Sequence, residues 1–380
     1  MLEKIQSEKG IAQSIESNVS QLIEISSTEW NSKETSWGFT TSELLKHKGQ
    51  DLEESYELYQ HYWKNKLIAT RQKEEELNQQ FIELYEMQDE LSANSALDEI
   101  TLLKNETSIE QEEIRFHSDE VVIQFISYAV GCMFGRYSLD KEGLILASQG
   151  ETVEDYLKSI NKFEIEVPFL PDDDNIIPIL GDEWFEDDIV GRFHEFLKVT
   201  FGETNFDKNL AFVEACIGKD IRKFFVKDFC KDHAKRYKNR PIYWMFSSPK
   251  GSFNVLVYMH RYTPDTLNQI LNGYLKEYQE KLKTRMEHLD HLIESGTSTE
   301  QTKAAKEKDK LKVVLLELQE YEREILYPLA TERIAIDLDD GVLVNYNKFG
   351  NAIKTVSGLN DKKTKEKVRK FDWIDTEEIR

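Results

Sequence analysis

Three consecutive stretches decide the fold class of this 380-residue chain: Ile242-Tyr243-Trp244-Met245-Phe246, then Ser247-Ser248-Pro249-Lys250-Gly251-Ser252, then Phe253-Asn254-Val255-Leu256-Val257-Tyr258-Met259. Two aromatic and β-branched runs flank a Ser/Pro/Gly cluster, which predicts two strands joined by a turn. Helical patterns surround this hairpin. Upstream, residues 220–237 put Ile221, Phe224, Phe225, Phe229 and Cys230 on one side of a helix. Downstream, Thr263-Pro264 reads as an N-cap with proline at the first helical position, ahead of Leu267, Leu271, Leu275, Tyr278, Leu282, Leu289 and Ile293 on one face. Gly296 suits the end of that helix, and Ser298-Thr299-Glu300-Gln301 has the spacing of a capping box for the next. Leu311, Val314, Leu318, Tyr321 and Ile325 continue it to Pro328, which is expected to stop it. The result is an antiparallel αα-hairpin with arms on the order of 45 Å at 1.5 Å per residue.

Further out, the first 115 residues read as helices, including 1–25 and a long polar helix over about 52–91, with a tryptophan-containing stretch from Trp30 to Trp37 between them. Residues 121–137 read as a buried helix. An acidic, proline-punctuated segment follows over 150–188, with Pro171-Asp172-Asp173-Asp174-Asn175 as a loop, and then helices over 184–201 and 205–217. Gly341-Val342-Leu343-Val344 reads as a short strand, and the tail ends in the basic Lys362-Lys363-Thr364-Lys365. The fold class is therefore α+β, mainly helical. Its parts are an N-terminal helical region (1–115), a central α+β domain (116–262), the αα-hairpin arm (263–329) and a tail with a short strand and a basic end (330–380).

Acids outnumber bases 71 to 49, giving a net charge of −22. That argues against a general nucleic-acid or membrane coat, but leaves room for a local basic face. Residues 72–120 hold 15 acids against three bases, which suits a solvated face or a docking surface for a basic partner. The N-terminus lacks the apolar core of a signal peptide, and the longest apolar run, 121–134, is too short to span a bilayer. Cys132, Cys216 and Cys230 have neither zinc-knuckle spacing nor an even count. A cytoplasmic chain without membrane association is expected.

The motifs of an active site are missing. No two prolines adjoin, as the adenine-binding tetrapeptide of an amino-methyltransferase requires, and there is no phosphate-binding or dinucleotide glycine motif. His288 and His291 share a helix face without a matching second pair of ligands. No catalytic, cofactor-binding or metal-binding residue is assigned. One constellation remains. Residues 219–261 carry eleven bases against Asp220, Asp228 and Asp232, so a basic helix feeds the aromatic hairpin. Lysine and arginine neutralise phosphates, hydroxyls bond phosphates or base edges, and a β-ribbon fits a major groove. Pairing of these bases with the chain's own acidic loops is the competing reading. The expected DNA contacts are Lys235, Arg236, Lys238, Arg240, Tyr243, Ser247, Ser248, Lys250 and Arg261. Of these, Lys235, Arg236 and Lys238 would hold phosphates, and Ser248 and Lys250 would reach bases. Tyr243 and Trp244 are more readily core residues.

Four stretches resemble one family: 126–140 (Ile126-Ser127-Tyr128-Ala129-Val130-Gly131-Cys132 onward), the hairpin 240–253, the helix entry 258–266 (Tyr258-Met259-His260-Arg261-Tyr262-Thr263-Pro264-Asp265-Thr266), and 339–350 (Asp339-Asp340-Gly341-Val342-Leu343-Val344-Asn345-Tyr346-Asn347-Lys348-Phe349-Gly350); the Trp30 to Trp37 segment fits it too. They are similar to the C-terminal part of the PglX-type adenine-specific DNA methyltransferases of BREX phage-defence systems, over about 29–360. The resemblance implies N6-adenine methylation of double-stranded DNA with S-adenosylmethionine as donor. The catalytic domain has no counterpart here, so the chain alone is expected to be inactive and to bind no cofactor. It would supply target recognition to a catalytic domain in cis or in trans, with other BREX subunits as further partners. A start at Met1 allows either a fragment or a separately encoded half. The competing function is an acidic helical scaffold that docks defence subunits without touching DNA.

Overall fold

The computed structural model describes residues 2–371 and 379–380. Met1, in the predicted first helix, and 372–378, in the predicted tail, lie outside the described residues. The chain divides into two compact units, 1–129 with 200–218, and 130–199 with 219–380. Among the described residues the architecture is mainly helical with two small antiparallel sheets, the α+β class read from the sequence.

In the first unit, long helices Leu2–Asn31 and Leu52–Leu84 run antiparallel, with Asn18 donating to Glu76 and Gln80 to Ser14. Ile25 and Leu67 close a core with Leu97, Ile100 and Leu102. Asp51 caps the second helix by accepting the Glu54 N–H at 3.0 Å. The helical reading of the first 115 residues fails beyond Leu84: the long helix ends there rather than near 91, and 85–106 holds only turns and one 3-10 turn, Leu97–Glu99. Strands β1 (Thr107–Glu110) and β2 (Glu113–Phe116) form a hairpin turned by Gln111 and Glu112, both at positive φ. A two-residue turn of this hand is usually signalled by Asn-Gly or Asp-Gly, which is why Gln-Glu concealed it.

The second unit is built on the predicted hairpin. Strands β4 (Tyr243–Ser247) and β5 (Asn254–Tyr258) pair from Tyr243↔Tyr258 to Ser247↔Asn254, and every residue in both is buried. A third strand, β3 (Ile176–Pro178), pairs with the other edge of β5, giving the order β3-β5-β4. Pro178 is tolerated because β3 lies at the sheet edge, where a missing N–H breaks no ladder. Asn175, just before β3, mimics one more pair of ladder bonds: its amide donates to the Tyr258 carbonyl at 3.0 Å and its oxygen accepts the Tyr258 N–H.

The αα-hairpin consists of Lys276–Ser295 and Ser298–Tyr321, tied by Arg285 to Glu307 at 2.8 Å and by Lys308 to Asp290. Its ends differ from the sequence reading in three ways and agree with it at Gly296. Regular helix begins at Thr266 rather than beside Pro264, because the Thr266 hydroxyl turns back to accept the Thr263 N–H. The capping box uses Thr297 and Glu300, one residue earlier than expected. Gly296 does end the first arm but at negative φ. It is needed for space, since a Cβ there would lie 2.5 Å from the Leu292 carbonyl oxygen. Pro328 does not stop the second arm. A π-helical turn, Glu322–Leu326, shifts the backbone ahead of it, and helix continues over Tyr327–Glu332 to Arg333 at φ 52°. The wider turn removes the need for a proline N–H and relieves the clash a proline ring makes one turn back.

The predicted strand at 341–344 is also corrected. Gly341–Asn347 is a helix whose Val344 packs with Val368 and Ile379. Asn345 locks the turn by donating to the Gly341 carbonyl at 3.0 Å. An apolar run this short fits either period, and tertiary packing decides between them.

Candidate nucleic-acid interface

The basic segment forms one helical run, Ile221–Phe224 and Cys230–Arg236 joined by a π-helical turn, Phe225–Phe229. Asp220 caps it by accepting the Lys223 N–H at 3.1 Å. The apolar side buries Ile221, Phe224, Phe225, Phe229 and Ala234. On the solvent side Lys223, Lys227, Lys231 and Lys235 follow one another at intervals of four, reaching water from the same side of the run. Residues four apart lie on one helix face, so these ammonium groups line one stripe. Lys238 and Arg240, in the turn before β4, and Lys250, in the hairpin turn, reach solvent as well. Among the described residues none of these seven cations has a carboxylate within ion-pair distance. The stripe's regular spacing is legible in the sequence, but Lys223, Lys227 and Lys231 are not among the contacts expected from it.

His233 fixes the helix to the hairpin. Its Nε2 accepts the backbone N–H groups of both Ile242 and Tyr243 at 3.1 Å, and its ring stacks on Phe229. Burial, then the charges of Arg236 and Arg136, push its pKa well below the usual histidine value, so the ring stays neutral and able to accept. Gly131, in the helix Ser118–Met133, leaves room for two rings: a Cβ there would lie 2.4 Å from the Tyr137 ring and 3.1 Å from the Tyr243 hydroxyl oxygen.

The expected DNA contacts separate into two groups. Lys235, Lys238, Arg240 and Lys250 present side chains to solvent, whereas Tyr243, Ser247, Ser248 and Arg261 are buried in the frame. Tyr243 stacks on Phe134 with centroids 5.4 Å apart. The Ser247 hydroxyl donates to Asn254 Oδ1 at 2.7 Å, and Ser248 Oγ accepts the Phe253 N–H at 3.1 Å. Both hydroxyls thus close the turn from inside rather than extend from its tip. Arg261 donates to the backbone carbonyls of Asp172 at 2.7 Å and Asp173 at 2.8 Å, pinning the acidic loop. Arg236 stands between the groups, half-buried and paired with Asp232 at 3.1 Å. Two further bases pair internally: Arg222 with Asp188 and Lys219 with Asp228, both at 2.9 Å. The competing reading, in which bases meet the acidic loops of 150–190, therefore describes Arg222 with Asp188; Asp228 and Asp232 belong to the basic run itself, and the lysine stripe pairs with neither.

No family model matches the chain. It is 34% identical over 365 residues to the adenine-specific methyltransferase BrxX of Escherichia coli O9:H4 (strain HS), covering 91% of this chain and 30% of that protein. It is 35% identical over 356 residues to the adenine-specific methyltransferase PglX of Lacticaseibacillus casei (strain Zhang), covering 89% of this chain and 28% of that one. The chain is a homologue of these methyltransferases. It spans less than a third of their length. Among the described residues no helix is long and apolar enough to cross a membrane, and no group of three or more His, Cys, Asp or Glu side chains is placed to hold a metal ion. Among the described residues both sheets are short and antiparallel.

Proposed function

We propose that this chain is the DNA-recognition portion of an N6-adenine DNA methyltransferase of a BREX-type phage-defence system, corresponding to the C-terminal part of such enzymes. Catalysis and S-adenosylmethionine binding belong to a catalytic domain outside these residues, in cis or in trans. Residues 116–262 form the target-recognition part of this proposal. The reading rests on one observation above all: a row of solvent-facing lysines at helical spacing, together with the exposed Lys238, Arg240 and Lys250, lacks carboxylate partners among the described residues of a chain of net charge −22. An acidic protein that leaves a row of cations unpaired offers phosphates a local site while repelling them elsewhere. Lys223, Lys227, Lys231, Lys235 and Lys238 hold the backbone, and Lys250 is the side chain placed at the turn. Tyr243, Ser247, Ser248 and Arg261 act from inside, by fixing the hairpin.

Duplex titration of the full chain tests this reading. Affinity should fall about a thousandfold or more between 50 and 200 mM salt if six or more phosphates are engaged. Absence of duplex binding at low salt, with other defence subunits still co-purifying, would favour the scaffold reading instead.

A further inference from the structure

We propose that the tail helix, Lys362–Val368, together with Arg369 and Lys370, is a second contact for the phosphate backbone, continuous with the lysine stripe; this rests on the DNA reading above. Residues 362–370 hold six cations (Lys362, Lys363, Lys365, Lys367, Arg369 and Lys370) and one acid, Glu366. Among the described residues none of the six is in an ion pair. Lys363, Lys367 and Lys370 are exposed, at helical spacings of four and three.

This segment is a built part of the second unit. Asp361 caps it, accepting the Thr364 N–H at 3.1 Å and the Gly358 N–H at 2.6 Å. Val368 is fully buried against Val344 and Ile379, which fixes the helix with its lysines outward. It is also tied to the hairpin. Ile353 bridges to Phe246, and the Lys354 N–H donates to the Met245 carbonyl at 2.8 Å, so the chain runs along the outer edge of β4. It then meets Arg240, whose guanidinium donates to the Gly358 carbonyl at 3.3 Å. Arg240 thus joins the end of the basic helical run to the loop that leads into the tail helix.

The electrostatics fit an anionic occupant. Burial, then the neighbouring Arg369 charge, holds the Lys365 ammonium below its usual pKa. Like charges held together on a fixed helix destabilise it, and a phosphate row would offset that repulsion. A duplex, with one charge per ~1.7 Å of axis, is the polyanion that can follow the stripe and the tail helix together.

The test uses the full chain, a labelled duplex and two triple variants. Lys363→Gln/Lys367→Gln/Lys370→Gln is expected to weaken binding about tenfold at 0.1 M salt. It should also make the slope of log affinity against log salt shallower by about 2 to 3, at ~0.9 for each phosphate no longer neutralised. Arginine at the same three positions should restore both, which a folding defect would not. Wild-type affinity and slope for the glutamine variant, with Lys227→Gln/Lys231→Gln/Lys235→Gln weakened, would overturn this inference and leave the DNA reading standing. A wild-type chain that does not bind duplex would sink both. Loss of binding to phosphatidylserine vesicles with duplex binding intact would overturn the inference in favour of a membrane surface.

Discussion

Glu317, buried on the second arm of the αα-hairpin, holds the turn of the β4–β5 hairpin with both its oxygens: one accepts the Lys250 N–H at 2.7 Å, the other the Ser252 hydroxyl at 2.5 Å. The arm is therefore a strut for the hairpin tip, and the Lys250 side chain leaves the frame from a backbone held at its own nitrogen. Glu317→Ala removes two charge-assisted bonds and strands a part-buried N–H. The expected cost is ~2–4 kcal/mol, read as a lower denaturant midpoint. A change within ~0.5 kcal/mol would mean that the turn holds itself.

The neutral state of His233 predicts acid sensitivity. Its pKa is depressed by burial, and that of His260 is pushed down to about 4 by burial and then by Arg136. In the unfolded chain both imidazoles take up protons below about pH 6.5, while the folded ones do not. Stability therefore falls as pH drops from about 6.5, by up to ~1.4 kcal/mol per pH unit for each histidine. His233→Phe keeps a ring against Phe229 but leaves the Ile242 and Tyr243 N–H groups without an acceptor. It should cost ~2–4 kcal/mol at pH 7.5 and flatten the decline between pH 6.5 and 5. Denaturant midpoints of both proteins across that range check this, and an unchanged slope would remove His233 from the account.

Arg261 illustrates how a sequence signal divides once the chain folds. Counted by charge it belongs with the basic cluster, yet its guanidinium is turned inward onto two loop carbonyls. Arg261→Lys cannot make the same fork and should cost ~2 kcal/mol of stability. Where the variant is fully folded, its duplex affinity should stay within about threefold of wild type.

The hairpin, the αα-hairpin and the basic helix were legible because strand composition, heptad-like spacing and charge are all local properties. Three features were hidden for physical reasons. The turn between β1 and β2 uses residues without turn chemistry, β3 ends in a proline that only an edge position permits, and the helix at 341–347 is chosen by packing against Val368 and Ile379. At the candidate site, sequence showed that cations accumulate. Burial alone decided which of them face water: composition cannot distinguish Lys235 from Arg236, whose charge is already met by Asp232 one turn earlier.

The stripe makes a graded prediction. Neutralising Lys227, Lys231 and Lys235 together should lower duplex affinity tenfold or more at 0.1 M salt, similarly for unrelated sequences, because phosphate contacts carry no base information. Lys250→Ala should instead reduce discrimination between a target and a scrambled duplex by ~1–3 kcal/mol, with a smaller change in salt slope. Fluorescence anisotropy over a salt series separates the two. Equal effects on slope and discrimination would contradict the division of labour proposed for the stripe and the turn.

Acetylation footprinting of lysines, with and without saturating duplex, tests the central claim most directly. Lys223, Lys227, Lys231, Lys235 and Lys250 should lose reactivity when DNA is bound, while Lys158 and Lys312, which already meet carboxylates on their own helices, should keep theirs. Unchanged reactivity along the whole stripe at saturating duplex would contradict it.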